Sequence, residues 1–145
     1  MKIRFLFEGC RGRRQDFKSE SAHALFQDYA DRISHFGGCE VSSLGLEAKK
    51  PGTRLWLCDA SPKAKAFSSE ALSRELGRLR DGGVRELAIG IGDSDGFGEK
   101  RRLELAPDLL WNFGPMTLPH ELAAIVAAEQ LYRAFTILQG VPYHK

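Results

Sequence analysis

The chain opens on a two-residue period. Ile3, Phe5 and Phe7 interleave with Arg4 and Leu6, which predicts a strand ending near Gly9. The period then lengthens: Ala22, Leu25, Phe26, Tyr29 and Ile33 fall at helical spacing, and Gly37-Gly38 supply a stop. Val41 to Leu46 reads as a second, weaker strand, and Lys49-Lys50-Pro51-Gly52 as a turn. Leu55 to Cys58 is apolar at consecutive positions, the pattern of a strand covered on both faces. Ser68 or Ser69 can cap a helix carrying Leu72, Leu76 and Leu79, which Gly82-Gly83 end before the apolar run Leu87 to Ile91. A helix between two buried strands is a βαβ unit. Pro107 interrupts a helix begun by Glu99 to Leu105, and Trp111 to Phe113 suits a short fifth strand. Leu122, Ile125, Val126, Ala128, Tyr132 and Phe135 trace a long final helix closed by Gly140 and Pro142. The expected architecture is an α/β domain with a mostly parallel sheet, spanning residues 1–145 as one unit.

Composition narrows this without redirecting it. With 145 residues, 43% of them hydrophobic, the chain can bury one substantial core. Charged residues make up 28% but the formal net charge is only +2, so any contact with nucleic acid must come from local patches. Cys10, Cys39 and Cys58 are odd in number and lack Cys-x-x-Cys spacing, which argues against a disulfide framework or zinc ribbon and for a reducing, cytoplasmic setting. The first residues have no signal-peptide core, and no run approaches the roughly 18 apolar residues that span a bilayer. A soluble protein is expected.

Ligands of parallel sheets sit beyond the carboxyl ends of the strands. That selects the segments after Cys58, Ile91 and Phe113: DASPK, GIGDSDGFG and GPMTLPH. Glycines there allow close backbone approach, and the helix start near His120 offers N–H groups to a polar or anionic ligand, unless the three are ordinary turns. Sharper motifs fail. Gly90-Ile91-Gly92 lacks the third glycine of a dinucleotide fingerprint, Asp93-Ser94-Asp95-Gly96 has no preceding helix for a calcium loop, and His120-Glu121 reaches Ala124 where a zinc site needs its second histidine. No metal site is expected. The clusters Arg11-Gly12-Arg13-Arg14, Lys49-Lys50 and Lys100-Arg101-Arg102 are either phosphate contacts, if the fold gathers them, or solvated surface. Tyr132 and Arg133 can be helix-packing residues, and the terminal PYHK a frayed end.

One stretch says more. Met116 to His120 reads Met-Thr-Leu-Pro-His, Glu129 to Ala134 reads Glu-Gln-Leu-Tyr-Arg-Ala, and Pro142 to His144 reads Pro-Tyr-His. Together they resemble the C-terminal signature of the RlmH family, bacterial methyltransferases acting on N3 of a pseudouridine in 23S ribosomal RNA. The resemblance implies a SPOUT fold, an α/β arrangement with helices on both faces of the sheet and a C-terminal trefoil knot. It also implies a homodimer that binds S-adenosyl-L-methionine and ribosomal RNA or the assembled ribosome. By the family pattern the cofactor would meet Leu57 or Cys58, Gly90 or Gly92, and the run Phe113, Gly114, Pro115, Met116, Thr117 and Leu118. These are the loops that the sheet argument selects.

An imide nitrogen becomes a better nucleophile as it sheds its proton, so the resemblance implies a proton acceptor and orienting groups. His120, Arg133, Tyr143 and His144 are the expected set, gathered across a dimer interface, with a histidine as acceptor and Arg133 on an imide oxygen or phosphate. Three departures bear on this. The family's Gly-Gly-Pro-Glu-Gly after the fourth strand is replaced by Gly90 to Gly96. Ala124 stands where an arginine is common, which predicts loss of a substrate-facing cation. A helix between the second and third strands is shortened away around Ala48 to Thr53. A SPOUT-like protein that binds ribosomes without catalysis is the alternative.

Overall fold

The computed structural model describes residues 1–9, 17–45, 48–93 and 95–145. The elements run β1 (Lys2–Phe7), α1 (Glu20–Ser34), β2 (Cys39–Ser43), β3 (Thr53–Cys58), β4 (Lys65–Ala66), α2 (Ser69–Asp81), β5 (Glu86–Ile91), α3 (Glu99–Leu105), β6 (Leu109–Asn112) and α4 (His120–Gln139). The strands form a sheet in the order β2-β1-β5-β3-β6-β4, and every pairing is parallel. The β3-α2-β5 unit joins neighbouring strands, as the apolar pattern required.

Strand alternation divides the core in two. Ile3, Phe5, Phe7, Trp56, Leu87, Ile89, Ile91 and Trp111 face α1, α2 and α4. On the other side Leu6, Leu55, Leu57 and Ala88 meet Leu44, Ala48, Phe97 and Leu105, a smaller cluster covered by α3 and loops. Helices therefore lie on both faces, three against one. Gly90 belongs to this packing: it pairs with Leu6 and Leu57, and a Cβ there would stand 2.4 Å from the Leu57 Cδ2 methyl.

Local signals explain the helix limits. Ser19 Oγ accepts from Ala22 N at 3.2 Å and Ser68 Oγ from Ala71 N at 3.1 Å, so Ser68 rather than Ser69 caps α2. Ala106 ends α3 in the left-handed conformation at φ 46°, with Pro107 blocking any continuation. In α4 the buried positions are mostly small, with Ala124, Ala127, Ala128 and Ala134 fully buried, so α1 and α2 approach it closely. A methyl of Leu138 already lies 3.2 Å from where a Cβ on Gly77 of α2 would be.

The sequence boundaries shift in three places. β1 stops at Phe7, β2 begins at Cys39 with Leu46 outside the described residues, and β6 begins at Leu109 and ends at Asn112. β4 carried no signal at all, because both its residues are exposed and it exists only by pairing with Trp111 and Asn112.

Candidate cofactor cleft and tail cluster

Three chain segments converge beyond the carboxyl ends of β3, β5 and β6. They enclose a cleft of about 200 Å³ whose walls include Cys58, Gly92, Phe113, Met116, Thr117 and Leu118, six of the ten residues expected at the cofactor. Leu57 and Gly90 lie underneath as core, and Gly114 and Pro115 are outside the lining. His120 and Ala123, at the start of α4, close the cleft. Pro119 at the N-cap has no side-chain acceptor, so α4 begins without a side-chain cap.

The loops are held by their own short-range chemistry. Asp59 Oδ1 accepts from Ser61 N at 2.9 Å, and its Oδ2 accepts from Arg102 Nη1 at 2.8 Å. The same Arg102 nitrogen donates to the Phe97 carbonyl at 3.0 Å, tying the segment after β3 to the one after β5. The latter is a tight turn: Gly96 N donates to Asp93 O at 3.0 Å, Asp95 N to Asp93 Oδ1 at 3.0 Å, and Gly96 has φ 71°. A Cβ on Gly92 would lie 3.0 Å from the Gly96 backbone, so glycine is what lets the turn fold back against the strand end. Gly114, at φ 118°, donates its N–H to Asn112 Oδ1 at 2.6 Å, while Asn112 Nδ2 donates to Ser61 O at 3.4 Å. Asp93 and Asp95 give the lining an acidic character suited to a cationic ligand.

Burial and the neighbouring Asp59 carboxylate push the Cys58 thiol well above the usual thiol range, and burial with Asp31 and Glu40 pushes Cys39 up to about 12. Both thiols are protonated at neutral pH and neither is a nucleophile. At pH 8, iodoacetamide labelling followed by peptide mass spectrometry is expected to modify Cys39 and Cys58 far more slowly than a free cysteine; labelling at the free rate would overturn this.

A second cluster sits further along α4. Arg133 Nε donates to Glu129 Oε1 at 3.0 Å, and Nη2 donates to the same oxygen. Tyr143 Oη donates to Glu129 Oε1 at 3.1 Å, stands 3.3 Å from Tyr29 Oη, and carries the Arg133 guanidinium over its ring at 4.9 Å. Burial, the Tyr29 hydroxyl and the Glu129 charge raise the Tyr143 phenol, which stays protonated. His144 Nδ1 lies 3.2 Å from Arg133 Nη1, and its Nε2 lies 2.8 Å from Glu70 Oε1 of α2. The tail PYHK is thus tied back onto α4 and α2.

Within one chain Arg133, Tyr143 and His144 come together and His120 lies apart from them; the expected gathering is across two protomers. Thirteen residues of helix separate His120 from Arg133, about 20 Å along the axis. Between them Leu122, Val126, Glu129 and Arg133 form one partly exposed stripe at helical spacing, with Leu122 48% exposed. Ala124 is fully buried, its methyl packed in the helical core. The basic clusters are also largely occupied. Arg101 is bidentate on Glu8 at 2.8 and 3.0 Å, Arg102 holds Asp59, and Lys49 Nζ reaches Ala106 O at 2.9 Å and Asp108 at 3.2 Å; residues 11–14 lie outside the described residues. Among the described residues no group of three or more His, Cys, Asp or Glu could hold a metal ion. Sequence reasoning missed Asp59, Arg102, Glu129 and Glu70 as partners. Glu129 stands in the motif three positions before Tyr132, Asp59 in the DASPK loop and Arg102 in a basic cluster, but Asp59 with Arg102 and Glu70 with His144 are paired across large chain separations.

The family described as Predicted SPOUT methyltransferase matches residues 46–144. The chain is 38% identical over 151 residues to a ribosomal RNA large subunit methyltransferase H from Koribacter versatilis, a match covering 99% of this chain and 98% of the relative. This chain belongs to that family of SPOUT methyltransferases. A second relative with the same description, from Maricaulis maris, is 35% identical over 148 residues, covering 88% of this chain and 92% of its own. One from Rhizobium meliloti is 48% identical over 99 residues, covering 68% and 59%. The family match starts just after β2, so it takes in all three loops of this SPOUT methyltransferase's cleft and the whole of α4.

Proposed function

We propose that residues 1–145 act as one SPOUT methyltransferase domain that transfers a methyl group from S-adenosylmethionine to large-subunit ribosomal RNA, at N3 of a pseudouridine, as a cytoplasmic homodimer. The carrying observation is the cleft where the segments after β3, β5 and β6 meet the start of α4. Its residues fit the cofactor. Gly92 leaves backbone open to close approach, Phe113 and Leu118 supply apolar walls for an adenosyl group, and Asp93 and Asp95 complement a sulfonium and an ammonium. When bound, the cofactor supplies an activated methyl group, and the protein's work is binding, orientation and removal of the imide proton.

Those tasks divide between the two clusters. His120 borders the cleft and is the proton acceptor in this reading. His144 lies away from the cleft lining, with its ring nitrogens 3.2 Å from Arg133 Nη1 and 2.8 Å from Glu70 Oε1. Tyr143 and Arg133 present a phenol and a guanidinium that can hold the ribose or base edge. Since about 20 Å of helix separates them from His120, they serve a different protomer's cleft. The exposed Leu122 and half-buried Val126, which connect the two clusters, are the apolar surface on which a second copy would lie. The trefoil knot belongs to the same reading.

Calorimetry with S-adenosylmethionine, followed by nucleoside mass spectrometry of large-subunit RNA from cells with and without the protein, tests this. Micromolar binding and a methylated pseudouridine that disappears with the protein are expected. A folded protein that does not bind the cofactor sinks the reading; binding with no change in any methylated nucleotide leaves a ribosome-binding protein without catalysis.

A further inference from the structure

Arg133 and Glu70 together decide the state of His144, one at each ring nitrogen. The Arg133 guanidinium can only donate at 3.2 Å, so Nδ1 must present its lone pair. The ring proton is then on Nε2, where it donates to Glu70 Oε1 at 2.8 Å. Glu70 sits in the first turn of α2, where the backbone and His144 together hold its carboxyl below the usual range. His144 is thus a neutral imidazole of one tautomer, clamped between a cation and an anion. Glu129 plays the matching part beneath it: one carboxylate oxygen receives both Arg133 and Tyr143, fixing the angle between guanidinium and phenol.

We propose that Glu70 and Glu129 are positioning residues for the RNA-facing tail. Glu129 sets Arg133 and Tyr143 relative to one another, and Glu70 selects the His144 tautomer and so the direction in which Arg133 points. Neither needs to touch substrate. The inference rests on the proposed rRNA methylation for its catalytic consequence, but not for its structural content.

The tautomer is directly readable. In the long-range ¹H–¹⁵N spectrum of selectively labelled protein near pH 8, His144 is expected to show a protonated Nε2 and an unprotonated Nδ1. Glu70→Ala removes the shorter of the ring's two contacts and frees it to turn away from the 3.2 Å contact with Arg133, so the two tautomers should mix, and Glu70→Gln, which keeps an acceptor oxygen, should restore the original pattern. On ribosomes, Glu70→Ala and Glu129→Gln should each lower kcat by about tenfold, the scale of one hydrogen bond to a charged group, with cofactor affinity within about twofold of the parent. Recovery of most of that rate by Glu70→Gln is also expected. A His144 spectrum unchanged by Glu70→Ala overturns the Glu70 assignment, and a kcat unchanged by Glu129→Gln overturns the Glu129 one. If the parent chain methylates nothing, the proposed function fails while the spectra still decide the tautomer.

Discussion

Gly92→Val is expected to abolish measurable S-adenosylmethionine binding while the chain stays folded. A single Cβ at this position would already sit 3.0 Å from the Cα and carbonyl carbon of Gly96, and both are backbone atoms that cannot rotate away. Valine adds two branches to that conflict. The turn closed by the Gly96 N to Asp93 O bond must open, and with it goes the wall that carries Asp93 and Asp95. A weakening of at least about 100-fold, or about 2.7 kcal/mol, is expected in calorimetry. The strand itself ends at Ile91, so circular dichroism and the melting transition should change little. Parent-like affinity for Gly92→Val would remove this turn from the binding site.

Trp56→Ala should produce the largest loss of stability among single core truncations. The indole is 2% exposed, stacks on Phe67 at 5.6 Å and meets Trp111 edge-on at 5.8 Å. Truncations of this kind cost about 3–5 kcal/mol, a large part of the roughly 5–15 kcal/mol that holds a domain folded. Urea unfolding should show the midpoint fall with the slope unchanged. The effect also reaches the site, because Trp111 carries Phe113 at 4.7 Å on its other side. A change below about 1 kcal/mol would mean that the three rings repack around the gap.

The fold was legible where a residue's environment is set by near neighbours in the chain. Alternation placed Ile3, Phe5 and Phe7 on one face, the Ser68-Ser69 pair announced α2, and Pro107 ended α3 at Ala106. β4 left no trace, since Lys65 and Ala66 are exposed and owe their conformation to Asn112 and Trp111, some 46 residues away by register. The cleft was legible for a topological reason: the ends of parallel strands, with glycine at Gly92 and Gly96, mark where a chain can receive a ligand. Gly90 shows the limit of that reasoning. Its glycine serves the packing of Leu57, and no local pattern distinguishes that use from a ligand contact. Ala124 entered only through the family's sequence pattern, which does not say that its methyl is packed in the core. The tail was the hardest part. His144 meets Glu70 across 74 positions, and nothing in PYHK indicates that it is tied down rather than frayed.

That tie has an electrostatic outcome. Around His144 and Tyr143 the guanidinium of Arg133 faces the carboxylates of Glu129 and Glu70, one positive charge against two negative, with the imidazole neutral. Such a cluster displaces no counterions when it meets a phosphate backbone, whereas each phosphate neutralised by a lone cation steepens the dependence of binding on salt by about 0.9 in the logarithmic slope. Under the proposed rRNA methylation, the tail contributes direction and register to RNA binding, and its contribution survives at ionic strengths where contacts made by unpaired lysines and arginines have faded.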